Sequence, residues 1–210
     1  MKKVDFSISW NWVRERLIKL EKVPLNMHTC LDECLDEARH LAKPKKLAIK
    51  KAVSAFRPES PSLISCIKGA THIIVFLVTI GKKVEEKATY WMDKDEGLRG
   101  YLLDRIGSLA VESLAEQVEE SLRAKYEPEN LSVSMRFSPG YCDWPIEEQF
   151  KISKMLDFSK IGVILTKSCM MVPKKSISAI VAIGPKGTFS SKVSPCRICD
   201  RKDCDYRRGL

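Results

Sequence analysis

The stretch Leu131-Ser132-Val133-Ser134-Met135-Arg136-Phe137-Ser138-Pro139-Gly140-Tyr141-Cys142-Asp143-Trp144-Pro145 sets a strand, a forced turn and a helix start end to end. Leu131, Val133 and Met135 alternate with Ser132, Ser134 and Arg136. A period of two predicts a half-buried strand whose polar face ends in Arg136. Ser-Pro-Gly turns the chain, because proline presets φ and glycine accepts positive φ. Pro145 suits the first turn of a helix, where a missing N–H costs nothing. A strand-end guanidinium, a backbone-rich turn and a helix start thus converge. Such a place suits a small ligand with a carboxylate and hydroxyls, since arginine offers a planar fork of donors and the helix start offers oriented N–H groups.

Working outward, the remaining chain reads as strands and helices without a strict βαβ rhythm. Residues 4–20 predict a short strand and then a helix. His28 to Lys43 carries Leu31, Cys34, Leu35, Ala38 and Leu41 at helical spacing, with Pro44 as terminator. Leu47 to Phe56 reads as a strand, Ser62 to Ile67 as a short helix or turn, and Ile73 to Ile80 as a buried strand. Gly81 opens a helix with Val84 and Ala88 on one side. From Gly97 to Tyr126 the helical pattern is strong, with glutamates interleaved among Ala110, Leu114, Val118 and Leu122. Gly100 and Gly107 share one face of that helix, and close helix packing is the favoured reason for them. Ile146 to Leu156 is expected to be helical, and Ile161 to Thr166 and Ile177 to Ile183 are expected strands. The connection Lys167 to Ser176 is too apolar for an ordinary exposed loop. No glycine-rich phosphate fingerprint follows a strand. The expected fold is α+β: one twisted, mainly antiparallel sheet with packed helices. Residues 1–190 form one domain in this reading, and 191–210 a cysteine-rich tail.

The chain of 210 residues is 44% hydrophobic, enough for a real core, and carries a net charge of +9. The charge is read chiefly as a lysine-rich solvated surface, with an acidic protein or a phosphate-bearing cofactor as the sharper alternative. No nucleic-acid motif accompanies it, so nucleic acid is a minor option. Scarce Asn and Gln among many charged residues are compatible with a thermophilic source. The longest apolar run, Ile73 to Ile80, is too short to span a bilayer, and the first residues lack a signal-peptide core; the expected location is the cytoplasm. His28, His40 and His72 form no cluster and read as structural or surface residues.

Eight cysteines in such a chain argue against a disulfide scaffold. Cys30, Cys34, Cys66 and Cys169 sit among apolar neighbours and read as small hydrophobes. Cys196, Cys199 and Cys204 differ: they stand in a polar tail among arginines that favour thiolates. Three thiols at this spacing can converge on zinc or an iron–sulfur cluster, with Cys142, Cys169 or an external group as fourth ligand. Reduced or disulfide-paired thiols are the alternative.

Two segments resemble the reactivation domain of cobalamin-dependent methionine synthase. Arg136, Gly140, Tyr141 and Pro145 stand as in its Arg-x-x-x-Gly-Tyr-x-x-x-Pro signature. Leu165, Thr166, Ser168, Met171, Pro173, Ser176 and Ser178 stand as in its second, Leu-Thr-x-Ser segment. Leu114-Ala115-Glu116 is also similar, so the resemblance covers roughly residues 97–184. The first 90 or so residues look more like stand-alone relatives of the domain than the fused form.

The resemblance implies an S-adenosylmethionine-binding module that supports reductive remethylation of inactive cob(II)alamin. It would be a component of a methyltransferase and not independently catalytic through acid or base side chains. It implies ligand contacts by Arg136, Phe137, Ser138, Pro139, Gly140 and Tyr141, and an approach of Met170, Met171, Val172 and Pro173 to the corrin. The implied partners are the corrinoid-binding module of methionine synthase and a flavodoxin or ferredoxin electron donor. An acidic residue for the ligand's amino group is also implied, with Asp5, Asp93 and Asp95 as candidates. Two other functions fit the sequence: an iron–sulfur or zinc redox activator of another corrinoid protein, and a non-catalytic basic interaction module.

Overall fold

The computed structural model describes residues 6–189. Helices α1 (Trp10–Glu21) and α2 (His28–Leu41) precede strand β1 (Lys45–Ala52). Helix α3 (Pro61–Cys66), strand β2 (His72–Thr79), helix α4 (Lys83–Asp93) and the long helix α5 (Gly97–Tyr126) follow. Strand β3 (Leu131–Val133), helix α6 (Gln149–Met155), the short strands β4 (Ile164–Leu165) and β5 (Met171–Val172), and strand β6 (Ser176–Pro185) complete the order. The main sheet has the strand order β1-β2-β6-β3, and β4 and β5 form a second, two-stranded sheet. Backbone bonds from Lys43 to Ile80 and from Val53 to Thr71 run β1 against β2, those from Ile80 to Lys175 and Thr71 to Ile183 run β2 against β6, and β3 is antiparallel to β6. The α+β class with a mainly antiparallel sheet is therefore the one the patterning predicted.

The described residues group into two compact units. The first comprises residues 6–46, Val78–Gln117 and Phe158–Ile177. Its core is helical: Val13 and Leu17 of α1, Leu31, Cys34 and Leu35 of α2, Val84 and Trp91 of α4, and Leu103, Ile106 and Leu114 of α5 are all buried. Burial pushes the Cys34 thiol up to about 12, with the neighbouring Cys30 adding to the rise, so it packs as an apolar, protonated group. The short strand expected before α1 is absent from residues 6–9. Two side chains of α5 explain this: Ser113 Oγ accepts the Ser9 N–H and Gln117 Oε1 accepts the Ser7 N–H, taking donors that a strand would need.

The α5 glycines serve helix packing, as favoured. A methyl group at Gly100 would lie 2.7 Å from the Ala88 carbonyl oxygen and 2.5 Å from Met92 Cγ. Gly100→Ala sets a helix-propensity gain of about 1 kcal/mol against an overpacking cost of about 1–3 kcal/mol. The obstacle is backbone and cannot yield, so a net loss of about 1–2 kcal/mol is expected in urea unfolding. Gly97→Ala, where nothing lies within 4 Å, is the control. A stabilised Gly100→Ala protein would refute the packing role.

The second unit comprises Leu47–Leu77, Val118–Asp157 and residues 178–189. Buried Ile73 to Leu77, Ala179 to Ile183, Phe56, Leu63, Phe137 and Trp144 form its core. Here the structure corrects the predicted strand at 131–136. Val133 sits opposite Ile183, but Phe137 pairs with Ile180, so four steps on one strand face three on the other. One extra residue makes this a β-bulge, which bends the strand and re-aims its side chains. Ser134 Oγ accepts the Ala182 N–H and Ser134 is buried, as is Arg136. The expected solvent-facing polar row therefore ends at Ser132.

Three boundaries shift for local reasons. Pro145 lies just outside the helix, at extended ψ 144, and a 3-10 turn at Ile146–Glu148 leads into α6. The strand expected over 47–56 closes early in a 3-10 turn at Val53–Ala55. The strand expected over 161–166 is reduced to Ile164–Leu165, because a 3-10 turn holds Phe158–Ile161.

Candidate functional site

In the second unit the signature residues build a folded turn. Tyr141 N–H donates to the Ser138 carbonyl at 3.0 Å, with Pro139 and Gly140 between them and Gly140 at φ 92. Proline followed by a positive-φ glycine defines a type II turn, as Ser-Pro-Gly predicted. Trp144 N–H donates to Tyr141 O, and Gly140 N–H donates back to Trp144 O at 2.8 Å. Phe137 exchanges both backbone bonds with Ile180, which nails the turn to β6. Below it the Phe137 ring meets Tyr141 at 5.9 Å and Trp144 at 6.0 Å, and Trp144 meets Phe56 edge-on at 6.1 Å. Phe137, Ser138 and Pro139 are buried, Tyr141 is half-buried and Gly140 is exposed.

Arg136 is 2% exposed. Its Nη1 donates to Glu119 Oε1 at 2.7 Å and its backbone N–H to Glu119 Oε2 at 3.3 Å. Arg123 Nη2 donates to the same Oε2 at 2.8 Å. One carboxylate on α5 thus fixes the side chain and main chain of the bulged residue. In the sequence Glu119 is one of several glutamates interleaved along the helix. Its signal was the pairing Glu119/Arg123 at i,i+4, which places the carboxylate toward an arginine on its own helix.

A crevice of about 150 Å³ adjoins the bulge, lined by Ser65, Cys66, Lys68, Ser134, Met135 and Phe189 among others. Burial and the nearby Asp143 charge raise the Cys66 thiol above its ordinary value. Asp143 is held below the usual carboxylate range: burial opposes this, but the Ser60 hydroxyl and the Ser62 N–H outweigh it. The Ser60 hydroxyl also accepts the Leu63 N–H, capping α3. Gln149 Nε2 donates to Ser178 Oγ at 2.7 Å, which ties the second segment's last serine to the helix after the signature.

In the first unit the remaining part of the second segment makes a hairpin. Thr166 N–H donates to Met170 O, Cys169 N–H to Thr166 O, and Met170 N–H to Thr166 Oγ1. Ile164 pairs with Val172 and Leu165 with Met171. Because Ile164 and Val172 are opposite and Met170 is two residues from Val172, all three share one face. They are 66%, 44% and 51% exposed. Part of the apolar character of this connection is thus displayed, while Cys169 is buried. Met171 is half-buried and Pro173 is buried, after a cis Val172–Pro173 bond. Glu85 anchors the base of the hairpin by accepting the N–H groups of Lys174 and Lys175. Lys175 Nζ reaches Asp104 at 2.7 Å and Ser108 at 2.9 Å.

Cys196, Cys199 and Cys204 lie outside the described residues, as does Asp5. Cys142 is half-buried at φ 52, beside the turn. Asp93 and Asp95 are exposed in the first unit. No helix among the described residues is long and apolar enough to cross a membrane.

A family model described as "Vitamin B12 dependent methionine synthase, activation domain" matches residues 63–202. No curated protein matches the chain. The solved structure "Crystal Structure of the MetH Reactivation Domain bound to AdoHcy" is similar, with a TM-score of 0.56 and 19% identity, covering 83% of this chain and 70% of that one. At that identity the likeness shows the fold.

Proposed function

The chain belongs to the activation-domain family of vitamin B12 dependent methionine synthase, and we propose that it holds S-adenosylmethionine at the turn Arg136–Tyr141 for the remethylation of a partner's corrinoid. The observation that carries this reading is the buried Arg136 guanidinium, fixed by Glu119 beneath a type II turn with an exposed glycine. Those are the residues of the family-like signature, and the similar solved structure carries the demethylated form of the ligand.

Each residue has a physical task in this reading. Arg136 presents its guanidinium to the ligand's carboxylate end, and Glu119 keeps it from turning away. Tyr141 and the backbone around Gly140 close on the ligand, glycine allowing near approach because it lacks Cβ. The exposed face of Ile164, Met170 and Val172 offers an apolar platform for the flat corrin of a partner module. S-adenosylmethionine supplies an intrinsically reactive methyl group and the corrinoid its acceptor. The protein's contribution is then orientation and exclusion of water, and no general base is needed. A flavodoxin or ferredoxin is the proposed electron donor.

Calorimetry with S-adenosylmethionine and S-adenosylhomocysteine tests the reading. Arg136→Lys keeps the charge but loses the planar fork, so affinity is expected to fall by about tenfold or more. Wild-type protein that binds neither nucleoside, alone or with the corrinoid module, would overturn it.

A further inference from the structure

Three polar atoms of the segment from Ser138 to Glu148 are buried without a hydrogen-bond partner: Ser138 Oγ, Trp144 Nε1 and Glu148 Oε2. Such atoms are rare in folded proteins, and each asks for an explanation. The backbone bonds Tyr141 to Ser138, Trp144 to Tyr141, Gly140 to Trp144 and Glu148 to Pro145 fold this segment on itself, so the three belong to one compact loop.

Their chemistry is complementary. An indole N–H only donates, an ionised carboxylate oxygen only accepts, and a hydroxyl does either. The zwitterion of an α-amino acid meets such a set, because its carboxylate accepts and its ammonium donates. The other carboxylates of this unit are engaged or exposed. Both oxygens of Glu119 are taken by Arg136 and Arg123, and Asp143 by Ser60 and Ser62. Glu59 is exposed and pairs with Lys151. Glu148 is 8% exposed, and Lys151 occupies only its Oε1, at 2.6 Å.

We infer that Glu148 receives the ammonium group of the ligand's amino-acid portion and that Trp144 Nε1 donates to its carboxylate. This rests on the S-adenosylmethionine reading above, and it gives the amino-group role to a residue outside the acidic candidates Asp5, Asp93 and Asp95.

Three ligands dissect the group in calorimetry: S-adenosylhomocysteine, decarboxylated S-adenosylmethionine, which lacks the carboxylate, and 5′-methylthioadenosine, which lacks both charges. Glu148→Gln is expected to weaken the first two by about tenfold or more and leave 5′-methylthioadenosine unchanged. Trp144→Phe is expected to weaken S-adenosylhomocysteine alone. Unchanged affinity of Glu148→Gln for S-adenosylhomocysteine would overturn the inference while leaving the binding reading intact. Equal weakening of all three ligands would also overturn it, by making Glu148 a structural residue. Wild-type protein that binds none of the three would overturn the binding reading and the inference with it.

Discussion

Glu119→Ala is expected to destabilise the protein by about 3–5 kcal/mol, the cost of breaking a buried ion pair from one side. Arg136 is 2% exposed, and Glu119 serves its side chain, its backbone N–H and Arg123 together. The loss should exceed that of any exposed ion pair, such as Lys82–Glu86, where about 0–1 kcal/mol is usual. The double variant Glu119→Leu with Arg136→Met removes both charges and should recover much of the stability, although not the ligand. Urea unfolding of the three proteins checks this. A Glu119→Ala loss below about 1 kcal/mol would mean that the pair is solvated in solution.

Trp144→Ala should cost a similar amount, about 3–5 kcal/mol, for a different reason. The indole is 1% exposed and stands between Phe56 and Phe137. Its removal leaves a void under the turn whose Gly140 and Tyr141 carry the proposed ligand contacts. The Trp144 backbone bonds to Gly140 and Tyr141 would lose their anchor as well. Binding of S-adenosylhomocysteine should therefore be lost with the stability. Thermal unfolding and near-ultraviolet circular dichroism of the folded variant read both effects. A change in melting temperature of less than about 2 °C would deny the turn its aromatic support.

The long elements were legible because their periodicity is long. α5 runs from Gly97 to Tyr126, the limits that its apolar spacing predicted, and the run at 73–80 is the buried strand β2 at 72–79. The type II turn was legible because Pro139 and Gly140 leave few alternatives. Less legible was everything that depends on partners distant in sequence. Serine is small enough to be buried or exposed, so Ser132, Ser134 and Arg136 mimicked a polar face that the bulge dissolves. Glu119 looked like its solvent-facing neighbours, since nothing local marks the guanidinium that it meets 17 residues later. Strands of two residues, β4 and β5, are too short to show any period. Of the candidate site, the sequence supplied the turn and its arginine. The carboxylates that steady or complement it, Glu119 and Glu148, emerge only from packing.

The added residue between Val133 and Phe137 acts as a phase shifter. With it, Val133 and Phe137, four residues apart, point to opposite faces of the sheet, as their partners Ile183 and Ile180 do. Chain length in this short interval therefore sets which side chains share a face of the sheet. Directed evolution here can vary the half-buried Met135 more freely than Ser134, whose hydroxyl stands in for a ladder partner at Ala182.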